Sequence, residues 1–406
     1  IAGECSGKFT RNMENQMSQK RFALLSLAVA MLAALMFSSV ARPVTAQSGT
    51  PAATSAGTAA AAQSTPVATL PFVNGKPQEL KIYNFTTYIA DDTIANFEKL
   101  YNVKITYDTF GKADEMYAKL QAGNPGYDIV ISPDYMVTQL SGLDLLLPLD
   151  FKNIPNFGKN ASAAFKNPAY DPGNKFSVAY QWGTMGIGYN TAKVAKPITG
   201  IADLFDPATY GGQKKRTALL NSSRETIALI LIYLGLDANT TNKADLDKVR
   251  DYLLKNKDSI AAFHNDDGQT ILAQGSIDAV MEWSGDMFQV MAEKGNEKLA
   301  YVVPKEGTFR WTDNMVIPKG AGNKALAELF INYVYDAAVG ASIANYTQYG
   351  SPNQAAIDMK LIDETLLSNP AVYPANFDKL VVLKDLGDAA TIYDQTWAEI
   401  VAGVGN

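Results

Sequence analysis

The chain has 406 residues, a formal charge of −6, one histidine and one cysteine. An acidic balance disfavours nucleic acid, which needs a basic footprint, and His264 with Cys5 alone cannot build a His/Cys metal cluster. Neither a metal nor a cofactor is expected.

Lys20 and Arg21 precede an apolar run from Phe22 to about Val40, and Val44 and Ala46 supply the small residues an export peptidase inspects. A secretory signal cleaved after Ala46 is expected, within an N-terminal segment 1–46 whose first 12 residues read as upstream sequence. The alternative is an uncleaved anchor, because the run approaches the roughly 20 residues that span a bilayer. Cys5 precedes the run, which argues against a lipid-attachment cysteine. Residues 47–78 are mostly Ala, Thr, Ser, Gln, Pro and Gly; such a stretch cannot repay the entropy of ordering itself and reads as a flexible tether. Without residues 1–46 the chain carries 30 basic and 39 acidic residues and no cysteine, so its stability rests on its core.

From Leu80 onward about 330 residues remain, enough for two domains. Alternation over Leu80 to Phe85 predicts a strand, and Asp91 or Asp92 then caps a helix with Ile94, Phe97 and Leu100 on one face. Val103 to Tyr107 predicts the next strand and Asp114 to Leu120 the next helix. The continuous apolar run Ile129 to Ile131 has the character of a buried parallel strand, with Ser132 to Tyr135 at its carboxyl end. The α/β spacing predicts a mostly parallel sheet, which places ligands at its carboxyl strand ends.

Residues 149–175 read as long loops over short helices. Gly183 to Asn190 resumes a strand, with glycines that permit close approach or a crossover between domains. Ala218 to Leu220 leads into helix Ile227 to Leu234; further helices are expected at Leu246 to Lys255 and Ile271 to Gln274, and a strand at Ile277 to Met281. Helices at Leu326 to Ala338 and Ala389 to Val401 complete the pattern, with Ala341 to Thr347 between them.

Two aromatic–acidic clusters carry the chemistry: Trp283-Ser-Gly-Asp286 and Phe309-Arg-Trp311-Thr-Asp313. Indole faces beside carboxylates are how a protein shields a small organic cation from water. An organic cation needs charge-assisted acceptors, while aromatic walls cover its methylenes at about 0.8 kcal/mol per buried CH₂. Plainer roles stand beside this one. Trp283 suits a core position at a strand end, Asp286 a helix cap, Asp313 a partner for Arg310, and Tyr88 and Tyr135 packing at an edge. Ser222 and Glu225 match a capping box as well as they match a ligand contact. His264 lies in a polar turn and reads as a surface or local structural residue. No phosphate-cradling loop occurs.

The ordered set Ile82 to Ile89, Glu115 to Leu120, Trp182 to Gly188, Ser222 to Glu225, Trp283 to Asp286, Trp311 to Asp313 and Tyr349 to Asn353 resembles the periplasmic spermidine/putrescine-binding proteins, from about residue 80 to the last helix. The resemblance implies an α/β fold of the two-lobed periplasmic-binding-protein kind, with discontinuous domains and a central interlobe cleft. The first lobe would comprise residues 79–181 and 312–357, the second 182–311 and 358–406. It implies a monomeric, non-catalytic receptor, exported to a periplasmic or other extracytoplasmic space, that carries a polyamine to the permease subunits of an ABC importer, with ATP hydrolysis in a separate partner. The ligand residues implied are Phe85, Thr86, Tyr88, Tyr135, Glu225, Trp283, Asp286, Trp311, Asp313 and Tyr349.

Three departures bear on the ligand. Phe85 replaces the family's usual tryptophan, Ser222 stands where spermidine-preferring members carry an aspartate, and Leu383 replaces a glutamine. The last two lean the ligand towards putrescine over spermidine. A receptor for another solute is the nearest competitor; an anionic ligand would call on Arg224 or Arg310. A carboxylate-dependent hydrolase and a structural or signalling module complete the alternatives.

Overall fold

The computed structural model describes residues 77–405. The expected signal segment and all but the last two residues of the expected tether lie outside the described residues.

Ten strands form one mixed sheet: β1 (Glu79–Phe85), β2 (Lys104–Phe110), β3 (Ile129–Pro133), β4 (Ser177–Asn190), β5 (Thr217–Leu220), β6 (Ile260–His264), β7 (Ala279–Trp283), β8 (Leu299–Val302), β9 (Phe309–Val316) and β10 (Val381–Val382). The order is β2-β1-β3-β9-β4-β7-β5-β6, with β8 on β4 and β10 on β9. One parallel group, β2-β1-β3, lies at one end and a second, β7-β5-β6, at the other. Between them β9 and β4 run antiparallel to each other and to their neighbours β3 and β7. The protein is therefore a two-lobed α/β fold whose lobes share two central strands.

The expectation of a mostly parallel sheet holds within each lobe and fails at the centre. A run of buried apolar residues reports burial on both faces, but it carries no information on strand direction. β4 starts at Ser177, ahead of the expected Gly183, and changes partners along its length. Residues from Ser177 to Thr184 pair with β9, and those from Met185 to Asn190 pair with β7 and β8.

Each lobe buries its own layer. Tyr83, Phe110, Met116, Leu120, Val130 and Val137 form one cluster; Ala218, Leu272, Val280, Met287 and Val290 form another. A larger cluster on the other side of the sheet runs through both lobes, from Phe97 to Ile400. Helix Asp91–Tyr101 buries Thr93, Phe97 and Tyr101, whereas Leu100 is 48% exposed. The i, i+4, i+8 row won over the predicted face because Phe97 meets Phe330 and Tyr333 from helix Lys324–Val334.

The loop region 149–175 is held by buried polar groups, since a loop must satisfy its own backbone. Asp171 Oδ2 accepts the Ser177 N–H and hydroxyl at 2.8 and 2.7 Å, which fixes the entry into β4. Residues Ile362, Leu366 and Val372 pack with Ala341, Ala344 and Ala356. After them the chain reaches β10 and helix Ala390–Gly405, which lies on helices Ser223–Tyr233 and Lys243–Lys255.

Candidate functional site

The turns that follow β1, β2, β3, β5, β6 and β7 open onto one cavity, with about 890 Å³ of atom-free space including its opening to solvent. This is the position expected of a ligand site in an open α/β sheet. All ten expected residues line it: Phe85, Thr86, Tyr88, Tyr135, Glu225, Trp283, Asp286, Trp311, Asp313 and Tyr349. Ser222 and Leu383 line it as well.

The second aromatic–acidic cluster reaches the cavity because it is a strand. Successive side chains of a strand alternate between faces, so Phe309, Trp311 and Asp313 of β9 share one face, and all three border the cavity. The first cluster spans the end of β7 and the first turn of helix Ser284–Ala292, with Asp286 in that turn. Trp283 and Trp311 meet edge to face, with ring centroids 5.6 Å apart. Trp311 continues to Tyr349 at 5.1 Å, Tyr349 to Tyr88 at 5.3 Å, and Tyr88 to Phe85 at 5.8 Å. The result is a continuous aromatic wall. Gly183 and Gly285 make room for it: a Cβ on Gly183 would stand 2.5 Å from Trp311, and one on Gly285 2.5 Å from the Tyr349 ring.

Hydrogen bonds cross the cleft between the lobes. Tyr135 Oη donates to Glu225 Oε1 at 3.1 Å, Thr86 Oγ1 donates to Asp266, and the Asp286 N–H donates to Tyr349 Oη at 3.3 Å. Outside the cavity Gln139 Nε2 donates to Asp385 Oδ1 at 2.8 Å. Ser222 is the N-cap of helix Ser223–Tyr233 and accepts the Glu225 N–H at 3.3 Å. Only half of the capping box forms, since the Glu225 carboxyl turns to Tyr135.

Six carboxyl groups border the cavity, from Asp114, Asp134, Glu225, Asp266, Asp286 and Asp313, against one ammonium, from Lys112. Burial is the main cause of their raised pKa values. It pushes Asp313 up to about 8, with Asp134, Glu225 and Asp286 adding to the effect and Tyr88 opposing it. The Tyr88 hydroxyl faces Asp313 without closing a hydrogen bond of regular geometry. Burial likewise takes Glu225 up to about 7, Asp134 to about 7, Asp266 to about 8 and Asp286 to about 6. Crowding carboxyls out of water favours their protonated forms, and a nearby cation favours the ionised ones.

The two arginines weighed for an anionic ligand do not border this cavity. Arg224 donates to the carbonyls of Ala238 at 3.0 Å and Lys384 at 3.2 Å, and to Asn239. Arg310 stacks on Phe377, 4.1 Å from the ring centroid. Sequence reasoning missed Asp114, Asp134 and Asp266, which read as ordinary helix or turn residues. Their shared signal is position, each lying just past the carboxyl end of a parallel strand. His264 is the last residue of β6 and buried, which corrects the polar turn and the surface role and leaves the local structural one: Nε2 contacts Met281 O at 2.9 Å.

Fold and cavity define the class, a two-lobed solute-binding protein with an acidic, aromatic cleft. The chain belongs to the bacterial extracellular solute-binding protein family, whose model matches residues 92–373. It is 31% identical over 328 residues to a spermidine/putrescine-binding periplasmic protein of Salmonella typhimurium, covering 80% of this chain and 92% of the relative. It is 34% identical over 309 residues to a putrescine-binding periplasmic protein of Escherichia coli, covering 73% and 83%. Among solved structures it is similar to the spermidine/putrescine ABC transporter substrate-binding protein of Streptococcus pneumoniae, with a TM-score of 0.69 and 32% identity over 80% of this chain and 99% of that one. Among the described residues no helix is long and apolar enough to cross a membrane.

Proposed function

We propose that this protein captures a polyamine outside the cytoplasm and delivers it to the permease subunits of an ABC importer, without catalysing a reaction itself. The observation that carries the reading is the charge of the cavity, six carboxyl groups against one ammonium, inside an aromatic wall. A linear polyammonium ligand satisfies both parts. Its ammonium groups replace the protons that the buried carboxyls hold, and its methylenes lie against Trp283, Trp311 and Tyr88. The names of the relatives support the same ligand class and a place outside the cytoplasm. The ten residues that were expected at the ligand are proposed as its contacts. Asp313 anchors one ammonium, and Glu225 and Asp286 receive the remaining charge.

Putrescine is the favoured ligand, because Ser222 and Leu383 bring a hydroxyl and an alkyl group where a longer polyamine would gain from an acid and an amide. The lobes comprise residues 79–181 with 312–357 and 182–311 with 358–406. The exchange of partners along β4, where Trp182 faces Thr312, supports the first two crossings. The third crossing follows residue 357, and Ile362, Leu366 and Val372 pack with Ala341, Ala344 and Ala356 of the first lobe beside it. The receptor acts as a monomer, either released by cleavage after Ala46 or tethered through its N-terminal segment.

Calorimetric titration of the purified protein with putrescine, cadaverine, spermidine and spermine tests the reading. Saturable binding of at least one of them, with putrescine tightest, is expected. No saturable binding of any of the four rejects it.

A further inference from the structure

Behind the cavity wall lies a buried pair that makes no contact with the cavity itself, His264 at the end of β6 and Glu282 near the end of β7. Glu282 has no exposed surface and His264 is 3% exposed. Hydrogen-bond chemistry fixes their protons. Met281 O can only accept, so the contact at 2.9 Å requires the hydrogen on His264 Nε2. A neutral imidazole then presents a bare Nδ1, and this atom lies 3.6 Å from Glu282 Oε2. Neither atom closes a hydrogen bond to any group, and their separation is slightly longer than one. Two bare acceptors would repel each other there, so one hydrogen belongs between them, and burial of both groups favours the neutral pair, with that hydrogen on the carboxyl, over an imidazolium–carboxylate pair.

The other oxygen of the same carboxyl holds the site. Glu282 Oε1 accepts the Trp283 N–H at 2.8 Å, at the start of the turn that carries Trp283 and Asp286. His264 is two residues before Asp266. The fold reserves space for the pair through Gly268, where a Cβ would collide with the Glu282 carboxyl and stand 2.5 Å from the imidazole. The groups that face Glu282 are Asp266 beyond β6, Asp286 on helix Ser284–Ala292, Tyr301 on β8, Tyr349, and the Gln269 N–H, which approaches without closing a hydrogen bond. Two of these are acids that favour a protonated neighbour. Burial and these two acids hold the Glu282 carboxyl well above the usual carboxylate range, and burial keeps the imidazole below its own, although Met281 O and Asp267 oppose this.

We propose that Glu282 is a positioning residue: it stays protonated in the folded protein, donates to His264 Nδ1, and pins the turns that carry Asp266, Trp283 and Asp286 to one another. This rests on the reading of the cavity as the ligand site. Its consequence is a rigid acidic edge on the second lobe, whose geometry does not depend on a histidine changing charge near neutrality.

The chain's single histidine makes the pair directly observable in tag-free protein labelled with nitrogen-15 at histidine. The spectrum should show a neutral imidazole with hydrogen on Nε2 and an unprotonated, hydrogen-bonded Nδ1, unchanged from about pH 5.5 to 8. A doubly protonated ring, or hydrogen on Nδ1, overturns the proposal.

Two variants then test positioning. Glu282→Gln keeps an acceptor for Trp283 and a donor for His264, and should bind putrescine within about threefold of the wild type; Glu282→Leu loses both bonds and should bind at least about tenfold more weakly. Equal affinities for Glu282→Leu and the wild type, or a Gln variant as weak as the Leu variant, overturn it. If Glu282→Leu does not fold, the wild-type spectrum and the Gln variant decide. A wild type that binds no polyamine defeats the reading of the cavity, while the tautomer measurement still judges the pair.

Discussion

Tyr135 donates its hydroxyl hydrogen to Glu225 Oε1 at 3.1 Å, and the two residues approach the cleft from opposite lobes. The bond joins the turn after β3 to the helix after β5, so it exists only when the lobes are together. Hinge closure in such proteins is a balance between a few contacts and the entropy of the open form. Tyr135→Phe removes one contact and leaves Glu225 short of a donor, a change of about 1 kcal/mol. Binding of putrescine should weaken by about fivefold, and the radius of gyration of the ligand-free protein should increase in small-angle scattering. An unchanged affinity would mean that this bond does not contribute to closure.

Asp313 is 7% exposed, and Asp313→Asn keeps its shape while removing its charge. Loss of a charged partner to a buried ammonium costs about 2 to 5 kcal/mol, so putrescine affinity should fall roughly 30-fold or more. Folding should respond in the other direction. The folded-state pKa of Asp313 lies near 8 against an ordinary value of 3.8, so the native protein holds a proton that the unfolded chain releases. The ligand-free, closed protein therefore loses stability as pH rises from about 4 to 8, and the Asn variant escapes that share of the loss. Thermal melts at pH 5 and pH 8 should show a smaller drop for the variant than for the wild type. A variant that melts lower than the wild type at pH 8 would contradict this account.

Much of the site was legible because its residues sit where strands end, and strand ends can be read from apolar runs such as Ile129 to Ile131. The aromatic–acidic clusters were visible as chemistry before they were visible as structure. What stayed hidden was direction and pairing. Trp311 to Val316 is buried on both faces of β9 despite Thr312, Asp313 and Asn314, because Asp313 faces the cleft and Asn314 Oδ1 accepts from the Tyr170 hydroxyl at 2.9 Å. No local pattern reports such partners. Asp134 and Asp266 were hidden for a related reason: an acid at a helix start or in a turn has an ordinary explanation, and only the convergence of several strand ends makes it part of a cavity.

Gly285 tests how tightly the aromatic wall is built. Its φ is not in the left-handed region, so alanine is acceptable to the backbone, but a Cβ would stand 2.5 Å from Tyr349 ring carbons. Tyr349 is itself confined by Trp311 and Tyr88. Gly285→Ala should therefore displace the ring, cost about 1 to 3 kcal/mol of stability as overpacking does, and weaken putrescine binding by moving the Tyr349 hydroxyl away from the Asp286 N–H. Denaturant melts read the first effect and titration the second. Wild-type values for both would show that the wall yields freely.

Proton release should accompany binding. Burial raises the pKa values of Asp313, Asp266, Glu225, Asp134 and Asp286 into the range of about 6 to 8, so near pH 7 the set holds protons that the same carboxyls in water would have lost. A polyammonium ligand interacts with the ionised forms, so its arrival expels protons. Affinity should rise as pH increases from about 5 to 8 and then level off, by up to about tenfold per pH unit for each proton released. Above about pH 10 it should fall again, as the ligand's own amines lose charge in the range of an ordinary lysine. Calorimetry at pH 7 in phosphate and in Tris separates the protons from the binding heat, because the two buffers differ in ionisation enthalpy. Net release is expected for the wild type, and less for Asp313→Asn. Net uptake, or no exchange at all, would mean that these carboxyls are already ionised or do not meet the ligand, and the electrostatic account of the cavity would have to be replaced.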